Sequence, residues 1–370
     1  VYRVTQNEWT QIGQTIDGPA SMSQFGHAVS VNGDGSRLIV GAPSFSLTFD
    51  SREGMARIYV LNEAETEWIF DDQIVGIHAG DEMGFDVDMD GSGELAAISS
   101  PGDDDKWIDG GQLHWLRYIE NQWVDFIEGI IVGSDNGNRF GTKISLSYVG
   151  NILIGSAPTA RVDGIENAGS VEAWSFDVSH IRANAIGFPV TGTTPSQFVG
   201  TDVSVNHRGD GFAVTGANHD EDGWSGAAEI HILQQGQWWQ VGEGIPALPL
   251  GDMPWVGAGP SIAYNSNRAR VAIGYENILL PNGESTPLIR VWDYFGFAAD
   301  AIPPIEWTVG NYGDDEGAET TNVTTANVTA SNVTTSNTTT TTNGTVSNST
   351  NGRRKLSGRQ PFLRHRDRTV

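Results

Sequence analysis

The chain has 370 residues, no cysteine and 46 glycines, and its formal net charge at pH 7 is −25. The absence of cysteine excludes a disulfide framework and a thiolate metal site, and no run of 18 apolar residues provides a transmembrane helix. The last eighteen residues hold 7 of the 21 Lys and Arg residues and one acid, which leaves 14 basic and 45 acidic groups in residues 1–352. A surface of that charge repels nucleic acid and anionic lipid, so we expect neither as a partner.

The predicted elements begin with residues 1–18, which look like half of a repeating unit. The stretch VYRVTQNEW has the β-rich run of a third strand and the tryptophan of a fourth. We predict that it closes a ring against the run from Leu288 to Tyr294; a larger ring whose missing half lies upstream is the alternative. Because the sequence opens on Val1 in mid-unit, we expect a fragment or mature product that lacks its signal and any anchor.

From Phe25 to Pro43 the chain reads FGHAVSVNGDGSRLIVGAP, and this phrase recurs four more times in altered form. The glycine of its Phe-Gly step has equivalents 57 to 59 residues apart, at Gly26, Gly84, Gly141, Gly200 and Gly259. A second landmark follows fifteen or sixteen residues later, at Gly41, Ser99, Ser156, Gly216 and Gly274. A period this regular is typical of repeat proteins.

Each unit carries the signals of four short strands joined by turns. Asn32-Gly33 and Asp34-Gly35 tolerate positive φ between two β-branched runs, which predicts a hairpin. The strand before that turn alternates aliphatic and polar residues, and its first aliphatic position is filled by Val29, Val87, Ile144, Val203 and Ile262. A glycine opens the third run, at Gly54, Gly111, Gly169 and Gly226, and a tryptophan heads the fourth, at Trp9, Trp68, Trp123, Trp238 and Trp307. No window has a sustained 3.6-residue period, so we predict an all-β chain.

A unit of about sixty residues hides only about 60% of its extended surface, so the units must stack on one another. Four strands per unit predict a β-propeller of about five visible four-stranded blades, with six or seven blades in the intact protein as the alternative. The partial unit spans residues 1–18, and the full units span residues 19–76, 77–133, 134–192, 193–250 and 251–310.

The Phe-Gly step followed by a Gly-Ala-Pro phrase resembles the FG-GAP repeat, the blade unit of the integrin α-subunit propeller. The resemblance covers residues 1–310. It implies a propeller that recognises a protein or glycan ligand at the cell surface through loops on one face, with calcium as an expected cofactor. Since one fold hosts many activities, the site itself must decide the function.

Beyond residue 310 the composition changes to Thr, Asn, Ser and small residues, which offer no apolar face for packing. This composition predicts a disordered segment over residues 311–352 and a basic disordered tail over residues 353–370. Residues 1–310 contain no N-x-S/T sequon, whereas the first segment contains six, at Asn322, Asn327, Asn332, Asn337, Asn343 and Asn348. We interpret it as a glycosylated stalk outside the cell; polar disorder that matches the sequon by composition is the alternative.

Two acidic stretches between second and third strands are the main binding candidates, Pro101–Gly111 and Ala217–Gly226. Carboxylate oxygens suit Ca²⁺, and an exposed aromatic ring beside them suits a sugar; solubilising surface charge is the alternative. The predicted metal ligands are Asp103, Asp104, Asp105, Asp109, Asp220, Glu221 and Asp222, and the predicted ligand-contacting tryptophans are Trp107 and Trp224.

A third acidic stretch, DVDMDGSGE, imitates the alternating-carboxylate calcium loop through Asp86, Asp88 and Asp90. Its register places Asp86 and Asp88 in a strand and Asp90 in the turn after it. Hairpin decoration is therefore the favoured interpretation, and a metal site is the alternative.

The function favoured by the sequence is a non-enzymatic recognition or adhesion ectodomain, because no nucleophile elbow, phosphate loop or catalytic acid pair is found. A polysaccharide hydrolase with acids converging on the propeller axis is the alternative. It depends on Asp86, Lys143 and Asp202, which occupy the same inner-strand position in three successive units.

Overall fold

The computed structural model of the chain describes residues 1–5, 8–125, 130–177, 182–220, 223–242, 244–246, 261–265, 270–279, 285–295, 327–328 and 362–369. Within those residues every helix or strand element is a β-strand. The all-β prediction is therefore confirmed. The same ranges contain no helix with the length and apolar character needed to cross a membrane.

Two strands at the N-terminus form a separate hairpin, and five antiparallel sheets follow it. The hairpin consists of β1 (Tyr2–Thr5) and β2 (Glu8–Gln11). Blade 1 consists of β3 (Val29–Val31), β4 (Arg37–Ala42), β5 (Met55–Leu61) and β6 (Trp68–Val75). Blade 2 consists of β7 (Val87–Met89), β8 (Leu95–Ser100), β9 (Gln112–Ile119) and β10 (Gln122–Asp125), with β11 (Ile131–Val132) pairing β9.

The next two blades repeat this plan. Blade 3 consists of β12 (Lys143–Leu146), β13 (Ile152–Ala157), β14 (Ser170–Asp177) and β15 (Arg182–Ala185), with β16 (Val190–Thr191) pairing β14. Blade 4 consists of β17 (Asp202–Val205), β18 (Gly211–Asp220), β19 (Gly223–Gln234) and β20 (Gln237–Gln240), with β21 (Ile245–Pro246) pairing β19.

Blade 5 begins with β22 (Ser261–Asn265), β23 (Arg270–Leu279) and β24 (Ser285–Phe295). The fourth position is taken by β26 (Phe362–Thr369), which also pairs with β25 (Asn327–Val328). The edge of β24 offers backbone groups with which β26 pairs. The rest of residues 311–370 lies outside the described residues, including Asn322, Asn332, Asn337, Asn343 and Asn348.

The first strands of consecutive blades contact one another, β3 with β7, β7 with β12, β12 with β17 and β17 with β22. They therefore lie side by side around a common axis, with the other strands of each blade outside them. The described part of the chain is a β-propeller with five such blades, as predicted.

The hairpin β1–β2 occupies the place of the outer half of a blade before blade 1. Trp68 donates its indole N–H to the carbonyl of Ile12, which follows β2 (3.1 Å). In the same way Trp238 of blade 4 donates to Ile186, which follows the outer strand of blade 3 (2.9 Å). We call β1–β2 the half blade. β24 pairs with β26 and not with the half blade, so the predicted ring closure against Leu288–Tyr294 is not what the structure shows.

The Phe-Gly glycines have one structural role in the four blades where they are described. Gly26, Gly84, Gly141 and Gly200 have φ between 81° and 95°, and each donates its N–H to a carbonyl fifteen residues later. The acceptors are Gly41, Ser99, Ser156 and Thr215, at 2.8 to 2.9 Å. In blade 4 the residue that accepts this hydrogen bond is Thr215. The second landmark predicted at Gly216 therefore lies one residue after the structurally equivalent position.

The hydrophobic core is divided among the junctions between blades. Between blades 1 and 2, for example, Ile39 and Ile58 of blade 1 share a buried cluster with Val87, Met89 and Ile98 of blade 2. Corresponding clusters fill the next three junctions, and a fifth packs blade 1 against Ile12 and Ile16, which follow the half blade. Apolar burial between sheets is what holds the sheets together.

Candidate functional site

Polar side chains of each inner strand hold the backbone of the next inner strand. An inner strand has an unpaired edge, so its outward N–H groups need acceptors. A Ser or Asp side chain supplies one at the same position in four successive blades. The pairs, with their N···O distances, are Ser30 with Met89 (3.2 Å), Asp88 with Leu146 (2.7 Å), Ser145 with Val205 (3.1 Å) and Ser204 with Tyr264 (2.9 Å).

A second row of acceptors lies two residues earlier in the strands. Asp86 accepts the N–H of Ile144 (2.9 Å), and Asp202 accepts the N–H of Ile262 (2.8 Å). We call the six side chains of both rows the axial caps; they are Ser30, Asp86, Asp88, Ser145, Asp202 and Ser204.

Where a blade has no side-chain oxygen at the second-row position, the N–H group of the next inner strand is accepted by a carboxylate from that same strand. Lys143 occupies this position in blade 3, and the N–H of Val203 is accepted by Asp202 from its own strand (3.0 Å). Blade 1 carries an alanine there, and the N–H of Val87 is accepted by Asp86 (3.1 Å). Both oxygens of Asp86 and of Asp202 therefore accept backbone N–H groups.

The electrostatics of this axial region are set by burial. Burial raises the pKa of Asp86 to about 6, although the charge of Lys143 and the N–H donors act in the opposite direction. Burial also raises the pKa values of Asp88 and Asp202. Burial, followed by the charge of Lys143, lowers the pKa of His27. Lys143 thus lies close enough to influence a carboxylate in each neighbouring blade.

A second region lies at one end of the blades, where two kinds of loop meet. The loops from second to third strands are residues 43–54, 101–111 and 158–169, and the loops from blade to blade are residues 76–86, 133–142 and 192–201. We call the surface that they form the loop face. At each of three junctions, three N–H groups of a blade-to-blade loop donate to three consecutive carbonyls of a second-to-third loop (2.8 to 3.3 Å). The acceptors are Ser51, Arg52 and Glu53; Ile108, Asp109 and Gly110; and Glu166, Asn167 and Ala168.

These loops hold residues other than glycine at positive φ in equivalent places. The second-to-third loops have Arg52, Asp109 and Asn167 at 48° to 52°. Such conformations cost of order 1–3 kcal/mol each and persist where surrounding contacts fix them. Ion pairs reinforce one junction, because Arg139 contacts Glu82 (2.5 Å) and Asp109 (3.7 Å). The loop face is therefore a fixed surface.

Large apolar side chains are exposed on this fixed surface and on the adjoining segment that leads into blade 1. They are Met22 (91% exposed), Leu47 (63%), Phe49 (102%), Ile77 (76%) and Ile108 (67%). Backbone hydrogen bonds connect the segments that carry them: Ser44 with Ser23 (3.2 Å), Gly80 with Ser51 (2.8 Å) and Gly102 with Asp81 (3.2 Å). We call these five side chains the apolar arc. The repeat pattern did not reveal them, because they lie in loops without a period.

The predicted calcium ligands of blade 2 shape their own loop. Asp103 is buried and accepts the N–H of Asp105 (3.0 Å), and Asp104 accepts the N–H of Asp109 (2.6 Å). Trp107 is half-buried, with its indole N–H buried and without an acceptor. Across the described residues, no group of three or more His, Asp or Glu side chains is arranged to hold a metal ion. Calcium therefore stays a prediction.

The stretch Ala217–Gly226, predicted as an equivalent loop in blade 4, is instead a hairpin. Strands β18 and β19 pair as far as Asp220 with Gly223, so only a two-residue connection remains. Glu221 and Asp222 lie outside the described residues, and Trp224 lies within β19.

The remaining candidate, Asp90, belongs to a turn. Its carboxylate accepts the hydroxyl of Ser92 (2.6 Å) and the N–H of Leu95 (2.9 Å). Asp86 and Asp88 hold the next blade as axial caps. This placement agrees with the interpretation of DVDMDGSGE as hairpin decoration, and it adds the contact between blades that the sequence did not indicate.

Similar solved structures are propellers, at low identity. The periplasmic gluconolactonase PpgL of Pseudomonas aeruginosa has a TM-score of 0.49 and 11% identity, over 79% of this chain and 74% of that chain. Saccharomyces cerevisiae Sqt1 has a TM-score of 0.41 and 10% identity, over 74% and 60%. The β-propeller domain of the Trilobed protease from Pyrococcus furiosus has a TM-score of 0.38 and 9% identity, over 72% and 77%. No family model and no curated protein matches the chain.

Proposed function

We propose that this chain is a recognition module that binds a protein ligand through the apolar arc of the loop face. The observation that carries the proposal is the exposure of five large apolar side chains on loops fixed by repeated hydrogen bonds. Aromatic side chains and methionine are enriched in interfaces, and Phe49 and Met22 are the most exposed of the five. Fixed loops lower the entropy cost of binding.

The test uses a panel of immobilised extracellular proteins. We expect the native chain to bind at least one member, and the double variant Phe49→Ser/Ile108→Ser to weaken that binding at least tenfold, since each side chain is an apolar anchor. Phe188 follows the outer strand of blade 3 and, at 77%, has an exposure between those of Phe49 and Ile108, so Phe188→Ser is the matched control. Binding that is unchanged in the double variant, or lost in the control, contradicts the proposal.

The same panel tests whether calcium assists the binding of the ligand. Binding measured in EDTA and in millimolar calcium separates a calcium-assisted interface from a purely apolar one.

We further propose an extracellular setting, supported by six sequons confined to residues 311–352. Expression in a secretory host is expected to give a mobility shift on glycosidase treatment. Absence of that shift contradicts the extracellular setting and leaves the binding proposal intact.

A polysaccharide hydrolase is the second candidate, and one observation favours it. Asp86 has a pKa of about 6 and lies under the influence of Lys143, a combination that suits a general acid. Against it, both oxygens of Asp86 already accept backbone N–H groups from two blades. A polysaccharide screen decides the point. Turnover that Asp86→Asn abolishes, in a variant that still folds, would replace the recognition proposal.

A further inference from the structure

The loops that carry most of the apolar arc are strongly acidic. Four of the five arc side chains lie in the loops of residues 43–54, 76–86 and 101–111. These three loops hold nine Asp and Glu residues against two Lys and Arg residues, a net charge of −7 with neutral histidine. The other three loops of the loop face hold three acids and two bases, a net charge of −1. The negative charge is therefore concentrated in the loops that carry the apolar side chains.

The cations of the loop face already have partners. Lys106 places its ammonium 5.9 Å from the centre of the Trp107 ring. The three arginines form ion pairs with acids of the same surface, at N···O distances of 2.5 to 3.7 Å; the pairs are Arg52 with Glu82, Arg139 with Glu82 and Asp109, and Arg161 with Glu166. Because the loop face holds twelve acids and four Lys or Arg residues, these pairs leave a surplus of negative charge.

Two of the surplus acids are exposed and lie close in sequence to arc side chains. Asp50 follows Phe49, and Asp104 lies four residues before Ile108. Asp104 accepts the N–H of Asp109 (2.6 Å). Among the described residues, no Lys, Arg or His nitrogen lies within 4.0 Å of the carboxylate of Asp50 or of Asp104. Both carboxylates are therefore free to pair with a cation from outside the chain.

This combination of apolar side chains and surplus acids restricts what the loop face can bind. Interfaces commonly place apolar anchors at the centre and charged residues at the rim. Charges of opposite sign across an interface steer the partner to its site, whereas like charges suppress wrong partners. A negative surface repels nucleic acid and anionic lipid. A second copy of the chain would present a loop face of the same charge.

We propose that the partner of the apolar arc is a basic polypeptide segment in which Lys or Arg residues flank large apolar residues. This inference rests on the proposed function, because it names the chemistry of the ligand that the arc binds. The apolar residues of the segment contact Phe49 and Ile108, and its cations lie opposite Asp50 and Asp104. The segment thereby supplies the positive charge that the arginines of the loop face leave unmatched.

The experiment measures binding of three synthetic 12-residue peptides to the full chain. The peptides share the same Leu and Phe positions and differ only at four positions, which are all Lys, all Gln or all Glu. Titrations are made in EDTA, so that no divalent cation bridges two carboxylates. We expect the Lys peptide to bind at least tenfold more tightly than the Gln peptide, and the Glu peptide not to bind. The preference for Lys should shrink with salt, because the Debye length falls from about 10 Å at 0.1 M to about 3 Å at 1 M.

The double variant Asp50→Asn/Asp104→Asn removes the two exposed charges and keeps their shape. Asparagine tolerates the positive φ of Asp50 (55°), and its side-chain oxygen can still accept the N–H of Asp109, so the variant is expected to fold. We expect it to weaken binding of the Lys peptide about two- to tenfold, as for two exposed ion pairs, and to leave the Gln peptide unchanged.

The matched control removes the same charge from a distant surface. Glu63→Gln/Glu67→Gln alters two exposed acids in the connection between β5 and β6, at the opposite end of β5 from residues 43–54. Binding of the Lys peptide is expected to stay unchanged in this control. Equal weakening in both double variants would mean that only net charge attracts the peptide, and would overturn the proposal.

Three further outcomes overturn the proposal and leave the recognition proposal to its own test with the protein panel. They are equal binding of the Lys and Gln peptides, binding of none of the three peptides, and tighter binding of a peptide with the sequence of residues 353–361. The last outcome would make a basic segment of this chain the occupant. Binding of the Lys peptide that is unchanged in Phe49→Ser/Ile108→Ser contradicts the apolar arc itself, so the failure of each proposal is recognisable.

Discussion

The tryptophans that head the fourth strands are a direct comparison between a covered and an open part of the molecule. Trp68 of blade 1 is 2% exposed and donates its N–H to the half blade, whereas Trp9 of the half blade is 73% exposed. The two residues hold the same position in the repeat. The comparison teaches that the repeat determines which strand a residue enters, while burial depends on whether another blade is packed in front of it.

The largest effect is expected when this pair is truncated. Trp68→Ala removes a buried indole from the junction with the half blade and is expected to lower the free energy of unfolding by about 3–5 kcal/mol. Trp9→Ala removes an exposed ring and is expected to change it by less than about 0.5 kcal/mol. Urea unfolding followed by far-UV circular dichroism compares the two. Equal losses would show that Trp9 is covered in solution.

The glycines sharpen the comparison at the level of the backbone. Gly54 has a φ of 74°, and a Cβ there would lie 2.3 Å from the backbone N of Met83 in the loop that leads to blade 2. Gly26 has a φ of 91°, but a Cβ there meets nothing within 4 Å. We expect Gly54→Ala to cost about 3 kcal/mol or more, from strain and a clash between blades, and Gly26→Ala to cost only the strain of about 1–2 kcal/mol. Thermal unfolding of both variants measures the difference, and a larger loss in Gly26→Ala would contradict it.

The axial caps of the covered blades are expected to make stability depend on pH. Burial raises the pKa of Asp86 to about 6, above its ordinary value of 3.8, so folding favours the protonated acid. The stability gained from that proton is fully present below pH 4 and is lost as the pH rises through 6. Asp86→Asn cannot titrate, whereas Asp88 and Asp202 titrate in both proteins. We therefore expect the stability of the native chain relative to the variant to fall by about 2–3 kcal/mol between pH 4 and pH 7. A constant difference would mean that the pKa of Asp86 is the same in the folded and the unfolded protein.

Much of the fold follows from the sequence because strand identity is a local property. The glycine at Gly84, the alternation around Val87 and the turn at Asp90 each report on neighbouring residues, and they place blade 2 correctly. The axial caps do not follow in this way, because Asp88 finds its partner Leu146 58 residues later. Its role becomes visible only when the blades are placed side by side.

The loop face was the hardest part to predict from the sequence. The acids around Asp103 suggest a cation, but one oxygen each of Asp103 and Asp104 accepts an N–H group of the same loop. The stretch around Asp220 has the same composition and becomes a hairpin, because its strands continue to pair up to Gly223. Composition alone does not distinguish a loop from a hairpin here, since the two differ in which backbone groups form hydrogen bonds with each other.

The smallest expected effect isolates one axial cap. Ser204 accepts the N–H of Tyr264 in the next blade (2.9 Å), so Ser204→Ala leaves that donor without its acceptor. We expect a loss of about 1 kcal/mol in the free energy of unfolding, as for one hydrogen bond. Faster amide hydrogen exchange at Tyr264, with unchanged exchange at Leu146, would show that the loss is local. Among the described residues no such cap faces Val31 of blade 1, and its amide is expected to exchange more quickly than that of Tyr264 in the native chain. Equal protection of the two amides would mean that the caps are not what protects them.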